Sequence, residues 1–228
     1  MRQLPLRVHL RERSIFETYF VGPNIEVYGR LRSVAAGDPG IIWVWGAPSS
    51  GRTHLLQAAC AATSKDRRAS YLPLLDLINE GPSVLEGSEK IDLLCLDDLD
   101  ALVGNRVFEL NLFSVFRSFE ERASGLIVCA NHPPAGLHWV IADISSRFSA
   151  CEIFKLKPLS DLDQISALCL RANSRGLDLP VETARYLLRR FPRDMQNLGR
   201  LLDDIDVASL SAQRRLTVPF VRELLGDL

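Results

Sequence analysis

The chain has 228 residues, with 27 Lys+Arg against 28 Asp+Glu and a formal net charge of -1, a balance that argues against holding nucleic acid by its overall field. Hydrophobic residues make up 47% and charged residues 24%, as in ordinary globular proteins, and no apolar run approaches the ~18 residues of a membrane span. The Arg-punctuated N-terminus has no apolar secretory region, and the five cysteines include no C-x-x-C pair, so a reducing cytoplasm fits better than a disulfide scaffold or a zinc site.

The first predicted element is Ile41–Trp45 (IIWVW), a continuous apolar run ending at Gly46 that reads as a buried parallel strand. Four further strands are predicted at Ser70–Leu74, Leu93–Asp97, Leu126–Ala130 and Cys151–Leu156. Trp43 and Trp45 alternate within the first, which is core packing and not a base-stacking platform. Between the strands, Arg52–Thr63 carries Leu55, Leu56, Ala59 and Cys60 at helical spacing. Val107–Arg122 places Phe108, Leu112, Val115, Phe116 and Phe119 on one face, with Glu109, Arg117, Glu120 and Glu121 largely off it. Such alternation predicts an α/β layered domain with right-handed crossovers.

After Pro158 no strand pattern recurs. Ser160-x-x-Asp163 reads as a capping box and Gly176 as that helix's stop. Pro180 opens a second helix, Pro192 precedes a third across Asp194–Leu210, and a short one fits Val218–Leu225. The expected division is an extended leader over 1–8, an αβα domain with a five-stranded parallel sheet over 9–158, and a small all-helical lid over 159–228. Lys155–Asp161 would be the joint.

Gly46-Ala47-Pro48-Ser49-Ser50-Gly51-Arg52-Thr53 fits G-x-x-x-x-G-[K/R]-[ST] directly after a strand and before a helix, the context of a P-loop. Glycines let successive backbone N–H groups curl inward, and the helix N-terminus adds its positive dipole end. The candidate nucleotide contacts run from Gly46 to Thr53 and on to His54. Thr53 would offer a hydroxyl to Mg²⁺. Arg52 stands where lysine is usual; it keeps the charge but not an ammonium's compact contact, so binding survives the exchange more easily than fast hydrolysis. Leu93–Asp98 (LLCLDD) is an apolar strand ending in two carboxylates, the form of a Walker B motif. Asp97 would hold Mg²⁺ and Asp98 could orient an attacking water. Asp100, Asp161 and Asp163 read as exposed or capping carboxylates, and the four histidines as structural.

Beyond these two motifs, the order of features resembles the AAA+ family, and within it the bacterial replication initiator DnaA and its shorter relatives. Phe16–Asn24, with Phe20 and Val21 inside it, is similar to the segment that wraps the base there. Asn131 after the fourth strand sits at the sensor 1 position and is followed by His132-Pro133-Pro134. Ser146-Arg147-Phe148 resembles the initiator's S-R-F segment, whose arginine reaches a neighbouring subunit's γ-phosphate; from spacing alone, Arg147 could equally pair with Asp143 one turn earlier. Arg193 matches the sensor 2 position, in a lid also rich in Arg185, Arg189, Arg190 and Arg200. Gln3-Leu4-Pro5-Leu6 resembles the motif that docks on the DNA polymerase III sliding clamp (beta subunit): Pro5 favours extension, Leu4 and Leu6 suit an apolar groove, and Gln3 can bond at its edge.

Core plus clamp motif resembles the family's regulatory inactivators of the initiator. The resemblance implies ADP (or ATP) as bound nucleotide with Mg²⁺ where present, DnaA and the clamp as partners, DNA reached only through the clamp, no membrane, and room for a homodimer. Arg147 would act as a finger in trans, with Asp98 and Asn131 beside the nucleotide. Two rivals stay open: a self-sufficient AAA+ ATPase such as a helicase loader, and an adaptor that uses nucleotide only as a structural pin.

Overall fold

The structure is a computed structural model that describes residues 14–191, 201–202, 205 and 216–226. Its elements in chain order are α1 (Ile25–Ala36), β1 (Gly40–Trp45), α2 (Arg52–Ala62), β2 (Ala69–Pro73), α3 (Leu74–Leu77), β3 (Leu93–Asp97), α4 (Arg106–Glu121), β4 (Gly125–Ala130), α5 (Ala142–Ser149), β5 (Glu152–Lys155), α6 (Asp161–Ser174), α7 (Val181–Arg190) and α8 (Val218–Leu225). The five strands form one parallel sheet in the order β2-β3-β4-β1-β5.

Both faces of the sheet are apolar because both are covered, which is why its strands read as unbroken hydrophobic runs. Successive residues feed alternate sides. Trp43, Leu94, Leu96, Leu126 and Val128 pack with α4 and α5, while Ile42, Val44, Leu93, Cys95, Ile127 and Cys129 pack with α1 and α2. Each such side chain, fully buried, stabilises the fold by roughly 1.5–3 kcal/mol.

The strand between the two motifs in sequence, β2, lies at the sheet edge, whereas β4 separates β1 from β3 in space. The phosphate-loop strand and the acidic strand therefore flank the strand that leads into Asn131. The structure departs from the sequence expectation at several points, among them an unpredicted α3 that takes Leu74 from the predicted second strand. The helix α1 was not predicted, and it buries Val27, Leu31, Val34 and Ala35 against α2 and the sheet. Glu109 is not off the apolar face of α4 but fully buried, with 0% exposure. Its carboxylate accepts hydrogen bonds from the backbone N–H of Gly104 (2.8 Å), Val140 (2.9 Å) and Ile141 (2.8 Å), which replaces the water it has lost.

The helices after the joint have their own core, with Leu168, Ala172, Ala184 and Leu187 packed against Leu216, Phe220 and Val221. Ser160 caps α6 as expected: its Oγ accepts from the Asp163 N–H while the Asp163 carboxylate accepts from the Ser160 N–H. The joint is sewn to the N-terminal segment by Asn24, whose amide donates to the Lys157 carbonyl (3.0 Å) and accepts from the Lys157 N–H (2.8 Å). Most of the predicted third lid helix, with Arg193 and Arg200, lies outside the described residues, as does Gln3–Leu6.

Candidate functional site

The loop from Gly46 to Gly51 leaves β1 at the carboxyl end of the sheet and turns into α2. Ser49 (φ 62°) and Gly51 (φ 95°) adopt the left-handed conformation that lets the backbone double back. A Cβ at Gly51 would come within 2.9 Å of the Tyr19 ring, so glycine is required there twice over. No side chain caps the first turn of α2, which leaves its N–H groups for an anion.

A cavity opens beside this loop. Thr18, Tyr19 and Phe20 line one side, Ser49, Ser50, Gly51 and His54 another, and Leu159, Ala167 and Arg171 the lid side. His54 anchors the leading segment through its Nε2, 2.9 Å from the Ile15 carbonyl oxygen and 3.3 Å from Thr18 Oγ1. Tyr19 stacks on Tyr28 at 6.1 Å, and burial pushes its phenol up to about 12, so the ring stays neutral. Gly46, Ala47, Pro48 and Val21 do not line the cavity, and Thr53 is exposed.

At the strand ends the predicted polar residues come together. Arg52 is only 9% exposed, and its Nη2 donates to Asn131 Oδ1 at 2.9 Å and lies 3.9 Å from Asp98 Oδ1. Asp97 accepts from the Tyr71 hydroxyl (2.9 Å) and from the Asp98 N–H (3.1 Å). Burial, and then the neighbouring Asp97 charge, raises the Asp98 carboxyl above its usual range, with Arg52 pulling the other way. Burial and Asp97 likewise raise the Tyr71 phenol. Among the described residues, two buried side-chain polar atoms have no partner, Ser50 Oγ and Arg52 Nη1. Both can donate, Ser50 from the loop and Arg52 from the first turn of α2. Such groups are costly to bury unmatched, and a phosphate oxygen is the acceptor that suits them.

Two residues of this region escaped the sequence reading. Asp100 is not a bystander: its carboxylate accepts from both the side-chain amide and the backbone N–H of Asn131. Arg171 of α6 brings a lid cation to the cavity wall; Arg193, which the resemblance places at the nucleotide, lies outside the described residues. Neither carries a periodic or motif signal, since each acts from a turn or a helix of another layer.

Arg147 does not line this cavity. It projects from α5, 37% exposed, and donates to Glu120 Oε2 at 2.8 Å, so its ion-pair partner is Glu120 of α4 and not Asp143. Its guanidinium also lies 5.3 Å from the Phe113 ring centre and 5.9 Å from that of Phe116. The next residue, Phe148, turns inward with 0% exposure and meets Trp43, Phe116 and Trp139 at centroid distances of 5.1, 5.0 and 5.9 Å. Phe148 is thus the bolt that fixes where Arg147 stands. Phe116, Glu120, Ser146 and Arg147 share the wall of an open surface dent.

Comparison with known proteins bears on the whole of this arrangement. Residues 10–154 match the model of the bacterial DnaA ATPase domain, and residues 161–225 match that of the Hda lid domain. Domain III of the Thermotoga maritima replication initiation protein DnaA is similar over 93% of this chain and 95% of its own, at 22% identity and a TM-score of 0.76. AMPPCP-bound DnaA from Aquifex aeolicus is similar over 87% of this chain and 66% of its own, at 22% identity and a TM-score of 0.71. The Thermotoga maritima RuvB branch migration motor matches at 18% identity and a TM-score of 0.61, over 95% of this chain and 72% of its own. At these identities the solved structures speak for the fold. With its core covered by the family model, the chain belongs to the bacterial DnaA ATPase-domain family, as a DnaA-related AAA+ protein with a lid of the Hda type.

Proposed function

We propose that this protein is a negative regulator of replication initiation that makes DnaA hydrolyse its bound ATP. In this reading it carries a nucleotide of its own, ADP before ATP, in the cavity between core and lid. Gln3–Leu6 tethers it to the DNA-loaded sliding clamp, which raises its concentration near the replication machinery. Arg147 is then presented to the γ-phosphate of ATP held by the initiator. As water attacks that phosphorus and ADP leaves, a guanidinium stabilises the charge on the transferred group, an effect worth ~10³–10⁵ in rate.

The observation that carries the reading is where Arg147 stands: outside the chain's own cavity, bolted by Phe148, half-exposed beside an open dent. A cation so placed serves a neighbour better than its own site. The bound nucleotide supplies phosphate charge that ties lid to core, with Arg52, Ser50 and the α2 N-terminus to hold the phosphates and Arg171 facing them from the lid. Thr53 and Asp97 would hold Mg²⁺, which commonly takes one or two protein oxygens beside phosphates and water.

The deciding experiment follows hydrolysis of initiator-bound ATP with clamp-loaded DNA, adding wild type, Arg147→Ala, or a variant with Gln3 and Leu4 changed to alanine. Wild type is expected to accelerate hydrolysis and Arg147→Ala to lose about 10³-fold of that gain. The leader variant should fail only where the clamp is needed. Full activity of Arg147→Ala would sink the finger and leave the adaptor reading. Rapid hydrolysis by this protein alone, lost on changing Asp98, would favour the self-sufficient ATPase.

A further inference from the structure

Arg147 lies in a cradle made by a different helix. Phe113, Phe116 and Glu120 follow one another at helical spacing, which sets two rings and a carboxylate along one side of α4. Arg147 reaches across from α5 to all three. Its guanidinium carbon lies 5.3 Å from the Phe113 ring centre and 5.9 Å from that of Phe116, and its Nη1 donates to Glu120 Oε2 at 2.8 Å. The backbone beneath it is fixed, because Phe148 is fully buried and the Glu109 carboxylate holds the Val140 and Ile141 N–H groups ahead of α5. The side chains of the pair are freer: that of Arg147 is 37% exposed and that of Glu120 52%. The other carboxylate in the dent, Glu152, is already held by Arg30.

We propose that Glu120 is a positioning residue that parks Arg147: it holds the guanidinium folded onto α4 in the free protein and has to release it before the arginine serves a partner's phosphate. The proposal rests on the reading of Arg147 as a finger in trans. A guanidinium closed on a carboxylate presents little net charge, and a triphosphate that approaches the pair meets Glu120 as a like charge. The charge on a transferred phosphoryl group is stabilised in full only once Arg147 has left Glu120 and turned its donors to the phosphate oxygens. Water then solvates the exposed carboxylate, so the hold has the strength of a surface ion pair: enough to keep the larger share of molecules parked, and weak enough for a triphosphate to break. Activation is thereby reduced by the fraction of molecules whose arginine is released.

Glu120→Gln keeps the shape of the side chain and removes its charge. The test follows hydrolysis of initiator-bound ATP with clamp-loaded DNA, using the full-length protein at a concentration below saturation. The variant should accelerate hydrolysis about two- to fivefold more than wild type does. The ratio of variant to wild type should fall toward one as salt rises from about 0.05 M to about 0.5 M, since screening loosens the pair in wild type. A merely structural carboxylate would show neither effect. Thermal unfolding should move by no more than about 3 °C, and binding of nucleotide in the protein's own cavity should stay as it is, because Glu120 does not line that cavity.

A variant that activates no better than wild type at low salt, or whose gain is the same at every salt concentration, overturns the proposal. So does a loss of activation, which would make the carboxylate a residue that aims the arginine at its target. Arg147→Ala in the same assay separates these failures from that of the finger. If it activates as well as wild type, the finger reading itself falls; if it is inactive and Glu120→Gln brings no gain, only the parking is overturned.

Discussion

Two arginines divide this molecule into two regions built on opposite plans. Arg52 is 9% exposed, held between Asn131 and Asp98, and still has a buried donor to spare. Arg147 is 37% exposed, leans on two aromatic rings and closes a single ion pair with Glu120. The cleft holds a dry cation between several polar partners; the α5 face anchors its cation beside a buried ring and leaves the charge partly toward solvent. The difference teaches that an exposed arginine is aimed by the buried residue beside it together with its surface contacts, and a buried one by the polar partners around its charge.

The largest expected effect follows from that. Phe148→Ala removes a fully buried ring from the Trp43–Phe116–Trp139 cluster and should destabilise the fold by about 3–5 kcal/mol, lowering Tm by about 10 °C in calorimetry. Partner activation should fall while nucleotide binding by the folded fraction persists. If activation survives the loss of the ring, Arg147 does not depend on its neighbour and the comparison breaks.

Glu109→Gln is the next test. The carboxylate accepts from Gly104, Val140 and Ile141, and the last of these heads α5, which has no side-chain cap of its own. An amide can accept on one oxygen only and sets its NH₂ against an N–H, a mismatch worth about 2 kcal/mol in denaturant unfolding. The damage should weigh on the Arg147 face more than on the cleft, which hydrogen exchange in α5 against α2 would separate.

How much of this could be read from the sequence follows the same division. The strands were legible because burial on both sides makes them continuous apolar runs, and β3 and α8 begin and end where the pattern put them. The loop, the paired carboxylates and the Ser160–Asp163 box were legible because each is local chemistry at fixed spacing. The helix α1 was not, since Gly29 interrupts it, no side chain caps it, and arginines at 30 and 32 dilute its apolar stripe. Glu109 was misplaced although it stands seven residues before Phe116, on the same face; its polarity outweighed its position. Asp100 and Arg171 owe their places to tertiary packing, which no spacing records.

The cleft also makes a pH prediction. Asp98 has its carboxyl raised in the folded protein, first by burial and then by Asp97. The folded state thus binds the proton more readily than the unfolded chain, and stability is lost as pH rises from the ordinary aspartate value of 3.8 through the folded value. Asp98→Asn should therefore raise Tm at pH 7, and the gain should shrink as the pH is lowered toward 3.8. A gain that does not depend on pH would mean that the buried Asp98 charge beside Asp97 is not what strains the site.

The smallest effect belongs to a pair outside both regions. Arg30 of α1 grips Glu152 of β5 through Nε (2.8 Å) and Nη2 (2.6 Å), and this hydrogen bonding holds the Glu152 carboxyl below its usual range. A lowered folded value means that the stabilisation is complete above the ordinary glutamate value of 4.5 and fades as pH falls through the folded one. Yet the glutamate side chain is 43% exposed, so water screens the pair and Glu152→Gln should cost no more than about 1 kcal/mol at pH 7. The cost should shrink further at high salt and vanish in acid, in contrast to Arg52, whose buried charge salt cannot reach. A loss at Glu152 as large as that at Glu109 would mean that exposure is not what separates a held charge from a presented one, and the distinction between the two arginines would have to rest on geometry alone.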